Sequence, residues 1–206
     1  MRRKAWLILL VIGLMAFLTV GCGGNEAPAP PPADSGGDTG GEETKAPSFD
    51  GEIKLGFMAP MTGGEATYGK DMENAAKLAL EEINNKGGVL GKKLVMITAD
   101  DACDPQDASA AATKLISENV VAVVGGYCSG ATLPTIKLYA DADIPFLIAA
   151  ANSTQLIDAN EGKAFMINGT GLHQGEKAVE LFNRLGAEKI ALVHQGDGYS
   201  EDLASI

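Results

Sequence analysis

Residues 120–132 read VVAVVGGYCSGAT. The first five residues are small and apolar, four of them β-branched, which predicts a short buried strand. Two glycines, a tyrosine, a cysteine and a serine follow directly, at the point where the strand ends. A thiol and a hydroxyl are therefore placed beside bare backbone at one end of a strand, and the rest of the chain indicates what they face.

Short apolar runs alternate with helical patterns from Gly51 onward. The predicted strands are 53–58, 94–99, 120–124 and 145–148. Apolar residues at helical spacing between 72 and 83 predict a first helix, the Asp104-Pro105 cap begins a second, and 132–142 forms a third. Strands alternating with helices predict an α/β fold whose parallel sheet is wound on both faces.

The N-terminal residues 1–21 have the pattern of a secretory signal. Basic residues 2–4 precede an apolar run of 16 residues, from Ala5 to Val20, and Gly21 stands before Cys22. The end of this segment resembles the lipobox of bacterial lipoproteins, although Thr19 replaces the usual leucine. We expect an exported protein that carries lipid on Cys22, at the periplasm or the outer face of the cell membrane.

Residues 22–50 are expected to form a flexible tether. Gly, Pro, Ala, Asp, Glu, Ser and Thr dominate this stretch until Phe49, so it cannot bury enough apolar surface to order itself. The remaining residues suffice for about one domain. A net charge of −11, without a basic cluster beyond the leader, argues against nucleic acid as a partner.

Two cysteines remain once Cys22 is assigned to lipid. Cys103 follows the second predicted strand and Cys128 follows the third, and parallel strands bring both positions to the same edge of the sheet. An even pair in an exported protein favours a disulfide over two reduced, buried thiols. The chain contains no C-x-x-C spacing, which argues against a redox catalyst.

Ser129 has two alternative roles. The carboxyl edge of an open α/β sheet is where such folds bind ligands, and free N–H groups at the start of a helix there favour a small anion such as a carboxylate. Glycines 125 and 126 would let a ligand approach the backbone. The alternative is that Ser129 only caps its helix.

Several segments together resemble the Leu/Ile/Val-binding proteins that serve ABC importers. They are YGKDMENAAKLALEEINNKGGVLGKKL (68–94), DDACDP (100–105), the Cys-Ser pair at 128–129 and HQGDGYSEDLA (194–204). The similarity extends nearly continuously over residues 51–206. It implies a type I periplasmic-binding-protein fold, in which two α/β lobes close on an amino acid, and a disulfide between the two cysteines.

The resemblance also implies a set of ligand-binding residues. Ser129 would bind the ligand carboxylate, while the Ala150 carbonyl and Asn152 would hold the α-ammonium group. Tyr68 and Tyr199 would line the pocket. Asn152 departs from the threonine that is usual in branched-chain binders, which leaves the identity of the ligand open.

Other kinds of site are less well supported. The acidic residues at 100, 101, 104 and 107 lack the glycine and terminal glutamate of an EF-hand, so turns and caps explain them better than calcium. His173 and His194 have no partner at metal-ligand spacing. GGYCSG is not a dinucleotide fingerprint. No nucleophile–base pair is found, so we expect no cofactor, no metal and no enzymatic activity.

The resemblance further divides the folded part into 51–170, a first ligand-binding lobe, and 171–206, the start of a second. A crossing at 166–170 would precede a helix at 174–185, a strand at 190–194 and a loop bearing Tyr199. Because relatives continue through the rest of the second lobe, the chain is expected to be truncated.

Two functions compete on this fold. The first is an extracytoplasmic solute-binding protein that delivers an amino acid, most simply a branched-chain one, to an ABC permease. The second is a sensory or regulatory protein for amides, urea or a small aromatic acid.

Overall fold

The structure is a computed structural model that describes residues 47–206, which lie within one compact unit. The predicted leader, Cys22 and nearly all of the predicted tether are outside the described residues. The last residue of the tether contacts the fold, because the Asp50 N–H donates to the Gly91 carbonyl over 2.9 Å. No helix within 47–206 combines the length and the apolar character needed to cross a membrane.

Five strands and six helices make up residues 47–206. The strands are β1 (Glu52–Ala59), β2 (Lys93–Asp100), β3 (Ala122–Gly125), β4 (Phe146–Ile148) and β5 (Ala164–Met166). The helices are α1 (Ala66–Asn85), α2 (Pro105–Ser117), α3 (Ser129–Asp141), α4 (Gln155–Asp158), α5 (Gly171–Leu185) and α6 (Gly198–Ser205).

All five strands run parallel in one sheet with the order β2-β1-β3-β4-β5. The chain steps from β1 to β2 on one side and then returns to place β3 on the other side of β1. Right-handed crossovers in these opposite directions put their helices on opposite faces of the sheet. The predicted parallel, doubly wound α/β sheet is confirmed, and the reversal beside β1 marks where such sheets bind ligands.

The core lies between the sheet and the helices α2 and α3. Leu115 of α2 and Ile136 of α3 are fully buried, and Tyr139 meets the Phe146 ring edge-on, with 5.0 Å between their centroids. Helix α2 begins as its sequence predicts, because the Asp104 carboxylate accepts from the N–H groups of the first turn and proline occupies the first helical position.

Glycines 125 and 126 serve packing within the fold, and their role in letting a ligand approach the backbone stays a prediction. Gly125 has a φ of +139°, and a Cβ there would overlap the carbonyl oxygen of Met58 on β1. Gly126 has a φ of +73°, and a Cβ there would press on Phe146 and Thr132. Only glycine permits this backbone conformation together with such a close approach of β3 to β1.

Helix α3 begins at Ser129, three residues before the predicted position. Gly130 is a poor helix former, which favours a later start. The structure nevertheless places Cys128 at the N-cap, and the Thr132 N–H makes the first helical hydrogen bond, with the Cys128 carbonyl. The tight turn after β3 places the start of this helix at the edge of the sheet.

The segment after residue 170 packs against loops at the carboxyl edge of the sheet. The Gly171 N–H donates to the Asn152 carbonyl over 2.7 Å. The Asp202 carboxylate of α6 is almost fully buried and accepts from both the backbone N–H and the hydroxyl of Thr154, at 2.7 and 2.6 Å. These bonds bring the first residues of α6 next to the start of α3.

Residues 190–194 do not form the predicted strand. The stretch is rich in apolar residues, as strands are, yet Val193 is 95% exposed. A strand needs a neighbour for its N–H and C=O groups, and within 47–206 no neighbouring strand pairs with this stretch. The predicted helix at 174–185 is confirmed as part of α5, whereas α4 and β5 were not predicted.

Candidate functional site

A cavity of about 510 Å³ opens at the carboxyl edge of the sheet, beside the reversal in strand order. Its walls come from the loops after β1, β2, β3 and β4 and from the segment around the start of α6. The lining residues are Glu65, Cys103, Tyr127, Cys128, Ser129, Gly130, Ala150, Asn152, Gln195, Asp197 and Tyr199. Four of the five predicted ligand-binding residues are among them: Ser129, Ala150, Asn152 and Tyr199.

The start of α3 presents unpaired backbone donors to this cavity. Within residues 47–206, no protein acceptor receives the N–H groups of Ser129, Gly130 or Ala131. These donors coincide with the partial positive charge of the helix N-terminus. The helix therefore offers an anion three converging N–H groups.

Ser129 is positioned by the loop that follows β4. Its hydroxyl oxygen accepts the backbone N–H groups of Asn152 and Ser153, each over 3.2 Å, and the residue is 4% exposed. A hydroxyl has two lone pairs and one proton, so these bonds leave the O–H group to donate. The capping alternative is wrong, because the hydroxyl binds the β4 loop and the N-cap is Cys128.

Acceptor oxygens lie on the β4 side of Ser129. The Ala150 carbonyl accepts the Asn168 side-chain N–H over 2.7 Å and keeps a second lone pair. The Asn152 Nδ2 donates to the Gln174 Oε1 over 3.2 Å, and its Oδ1 receives no donor from the described part of the chain. A ligand cation at this end of the cavity would meet two oxygen acceptors.

Tyr199 belongs to helix α6, whereas a loop was predicted. Its hydroxyl donates to the Gln174 Oε1 over 3.2 Å, so Gln174 joins Tyr199 to Asn152 across the cavity. The Asp197 carboxylate caps α6 by accepting the N–H groups of Tyr199 and Ser200, and it also meets the Gln195 amide. These hydrogen bonds, led by the one from Ser200, hold the pKa of Asp197 below its ordinary value.

Tyr68 does not itself line the cavity and is 55% exposed. Its ring stacks on that of Tyr127, with 5.2 Å between centroids and 14° between planes, and Tyr127 forms the wall. Burial, followed by the charge of the nearby Glu65 carboxylate, raises the pKa of the Tyr127 hydroxyl.

Sequence reasoning missed Glu65, Tyr127, Gln195 and Asp197. Tyr127 stands between Gly126 and Cys128 in the opening stretch, so its position at the strand end was an available signal. Gln195 and Asp197 lie in the segment 194–204 that carried the family resemblance. Glu65 gave no such signal, because its role depends on where one side chain points.

Cys103 and Cys128 meet at the cavity wall. Their Cα atoms are 5.4 Å apart and their sulfurs lie within bonding distance, as the predicted placement of both residues at one sheet edge requires. Cys103 adopts a φ of +58°, and its N–H donates to the Asp101 Oδ1 over 3.0 Å. Whether the bridge forms in the exported protein stays a prediction.

The neighbouring acidic residues act in turns and caps, as predicted. Asp100 accepts from the Met61 N–H and the Thr62 hydroxyl, at 2.8 and 2.6 Å, and so fixes the loop after β1. Asp104 caps α2. His173, one of the two candidate histidines, closes the capping box of α5 with Thr170.

Comparison with known proteins places these features in a family. The sequence profile of the family described as periplasmic binding protein matches residues 52–205. The chain is 35% identical over 156 residues to the Leu/Ile/Val-binding protein of Escherichia coli K12, and 34% identical over 155 residues to the amino acid binding protein of Pseudomonas aeruginosa. These alignments cover 74% of this chain but 42% and 41% of the relatives, so the chain spans about two fifths of their length.

Solved structures show the same fold. The isoleucine complex of a branched-chain amino acid transporter substrate binding protein from Streptococcus pneumoniae superimposes with a TM-score of 0.68 at 28% identity, covering 75% of this chain and 45% of that one. A solute binding protein from Rhodopseudomonas palustris BisB5, in complex with 3,4-dihydroxybenzoic acid, gives 0.67 at 26% identity, with coverages of 75% and 42%. The fold is therefore that of the type I periplasmic binding proteins.

Asp101 beside the cysteine pair generates a stability prediction. Complete burial raises its pKa from 3.8 to about 6, and its Oδ2 has no partner within residues 47–206. The unfolded chain thus releases this proton at lower pH than the folded chain. The contribution of the protonated Asp101 carboxyl to the free energy of unfolding is complete below pH about 4 and is lost as the pH rises through 6.

Asp101→Asn keeps the acceptor for the Cys103 N–H and removes the titration. From pH 4 to 7.5, we expect the free energy of unfolding of this variant to rise by roughly 2–3 kcal/mol relative to wild type. Urea titrations at both pH values measure the difference in the free energy of unfolding. The control is Asp107→Asn, at an exposed position of α2. Parallel pH profiles for wild type and Asp101→Asn would contradict the assignment.

Proposed function

This chain belongs to the periplasmic binding protein family, and on that premise we propose that it is the amino-acid receptor of an ABC importer. In this role the protein binds its solute outside the cytoplasm and presents it to a permease. The function requires binding and release without chemical change, and we propose no catalytic role.

The single observation that carries this proposal is the free donor set at the start of α3. Three backbone N–H groups and the Ser129 hydroxyl proton converge on the cavity, and together they fit a carboxylate. The ligands of the two structures compared above, isoleucine and 3,4-dihydroxybenzoic acid, share that group. A carboxylate is therefore the part of the ligand for which this chain offers the strongest support.

An α-amino acid also uses the acceptors on the β4 side. The ammonium group would lie between the Ala150 carbonyl and the Asn152 Oδ1, and Tyr199 would close the cavity from α6. Tyr68 would act through Tyr127, on which it stacks. The names of the relatives favour leucine, isoleucine or valine as the first ligands to test.

A second candidate is a sensory or regulatory protein for an aromatic acid. The dihydroxybenzoate in the R. palustris structure and the stacked tyrosines of this chain favour it. An aromatic acid has no ammonium group, so it would leave the acceptors of Ala150 and Asn152 unused. Binding of benzoates in preference to amino acids distinguishes this candidate.

We propose the location from the sequence and the family together. Residues 1–21 act as a lipoprotein signal, Cys22 carries the lipid, and 22–50 tether the protein to the membrane. Residues 51–170 form the first lobe and 171–206 belong to the second. The partners are then a small amino acid, an ABC permease and, through the lipid alone, a membrane.

The first test removes the Ser129 hydroxyl. Ser129→Ala should weaken binding of L-leucine, L-isoleucine or L-valine by roughly 10–100-fold, since a hydrogen bond to a charged group contributes about 1.5–3 kcal/mol. Isothermal titration calorimetry on the full chain measures the change in affinity. The control is Ser109→Ala, at a position in α2 outside the cavity lining. Thermal unfolding of each variant shows whether loss of the Asn152 and Ser153 contacts has unfolded the protein.

Two outcomes would refute the proposal. One is Ser129→Ala binding these amino acids as tightly as wild type. The other is a folded wild-type chain that binds neither amino acids nor benzoates at millimolar concentration.

The second test concerns the cysteine pair. Residues 103 and 128 are 25 apart in sequence, and closing a loop of that length stabilises a fold by about 3–4 kcal/mol in the chain-entropy model. Reduction, or Cys103→Ser combined with Cys128→Ser, should lower the free energy of unfolding by about this amount. Alkylation of both cysteines in the unreduced, exported protein, detected by mass spectrometry, would show that no bridge forms.

A further inference from the structure

The order of the strands arranges the cavity into three sectors. Ser129 follows β3, the acceptors of Ala150 and Asn152 follow β4, and Glu65 lies after β1, while β3 stands between β1 and β4 in the sheet. An amino acid that places its carboxylate at Ser129 and its ammonium group toward β4 therefore extends its side chain toward β1. The residues after β1 and their neighbours meet the distal end of the ligand.

Glu65 provides a carboxylate in that third sector, next to the Tyr127 hydroxyl. It occupies the N-cap position of α1, yet its side chain makes no capping hydrogen bond. No basic residue of the described chain forms an ion pair with it. Asp197, the other carboxylate of the lining, is occupied by the N–H groups of α6.

Two aromatic rings adjoin the Glu65 carboxylate. Tyr127 lines the cavity next to it, and Tyr68 stacks on the ring of Tyr127. Faces and hydroxyls of tyrosine attract cations, and a carboxylate beside them adds a full negative charge. Burial and the Glu65 charge both disfavour ionisation of the Tyr127 hydroxyl, whose pKa is raised, so Tyr127 stays neutral.

The lining contains few aliphatic side chains against which a branched alkyl group could pack. Its residues include two acids, two tyrosines and two amides, but among them Ala150 is the one aliphatic residue, and none is Lys, Arg or His. A cavity of about 510 Å³ has room for a long side chain. Burying a branched alkyl group against Glu65 would instead remove water from a charge without pairing it.

We propose that Glu65, with the stacked Tyr68 and Tyr127, forms a cation-selecting subsite, so that the receptor prefers amino acids with a basic side chain. This inference rests on the proposed function and departs from the branched-chain side chain that the names of the relatives favour. Glu65 is the specificity-determining residue, and the tyrosines shape the place where the cation lies.

Lysine and norleucine test the subsite because they share an unbranched four-carbon side chain and differ in the terminal ammonium group. Isothermal titration calorimetry on the full chain should show L-lysine binding about tenfold tighter than L-norleucine, or more. Glu65→Gln should abolish this preference, because lysine binding weakens and norleucine binding stays equal or becomes tighter once the charge is removed. Glu65→Asp should retain part of it, and Glu82→Gln, on the same helix and exposed, should retain all of it.

The outcomes separate this inference from the proposed function. One outcome is wild-type protein that binds norleucine or leucine through Ser129 and binds lysine no more tightly. This result overturns the cation subsite and leaves the receptor proposal standing. A lysine preference that survives in Glu65→Gln also overturns it. If no amino acid binds to the folded wild-type chain, both proposals fail together.

Discussion

The hydroxyl oxygen of Ser129 accepts the backbone N–H groups of Asn152 and Ser153, and these two bonds join the loop after β3 to the loop after β4. Because both lone pairs are engaged, the hydroxyl proton is directed away from the β4 loop. The same bonds hold the start of α3 at the sheet edge with its first N–H groups unpaired. The Ser129 side chain thus holds the N–H donors of α3 next to the loop that carries the acceptors of Ala150 and Asn152.

A zwitterion needs donors for its carboxylate and acceptors for its ammonium group, and the cavity separates these two sets by strand. Donors follow β3, and neutral acceptors follow β4. The Glu65 carboxylate after β1 lies apart from both, next to Tyr127, and forms no ion pair within residues 47–206. Because Asp197 is engaged by α6, Glu65 is the lining carboxylate left for a ligand. Because one fold can serve different ligands, the ligand is inferred from the residues of the site and not from the fold.

Local sequence patterns predicted the sheet, because strand alternation, the Asp104-Pro105 cap and the glycine turns act over a few residues. Topology alone then placed Cys103, Cys128 and Ser129 at one edge. Residues 190–194 show the limit of such patterns, since a strand depends on a partner that the local sequence does not contain. Glu65 shows another limit, because an N-cap glutamate whose side chain leaves its helix cannot be recognised from spacing.

The most direct test of the carboxylate site follows the backbone N–H groups of Ser129, Gly130 and Ala131 by NMR during titration. L-leucine and 3-methylbutan-1-amine, which lacks the carboxylate, are compared at millimolar concentration on the full chain. We expect downfield shifts of these three amide protons with leucine and none with the amine. Unchanged resonances at 129–131 when leucine binds, or equal shifts with both compounds, would contradict the carboxylate site.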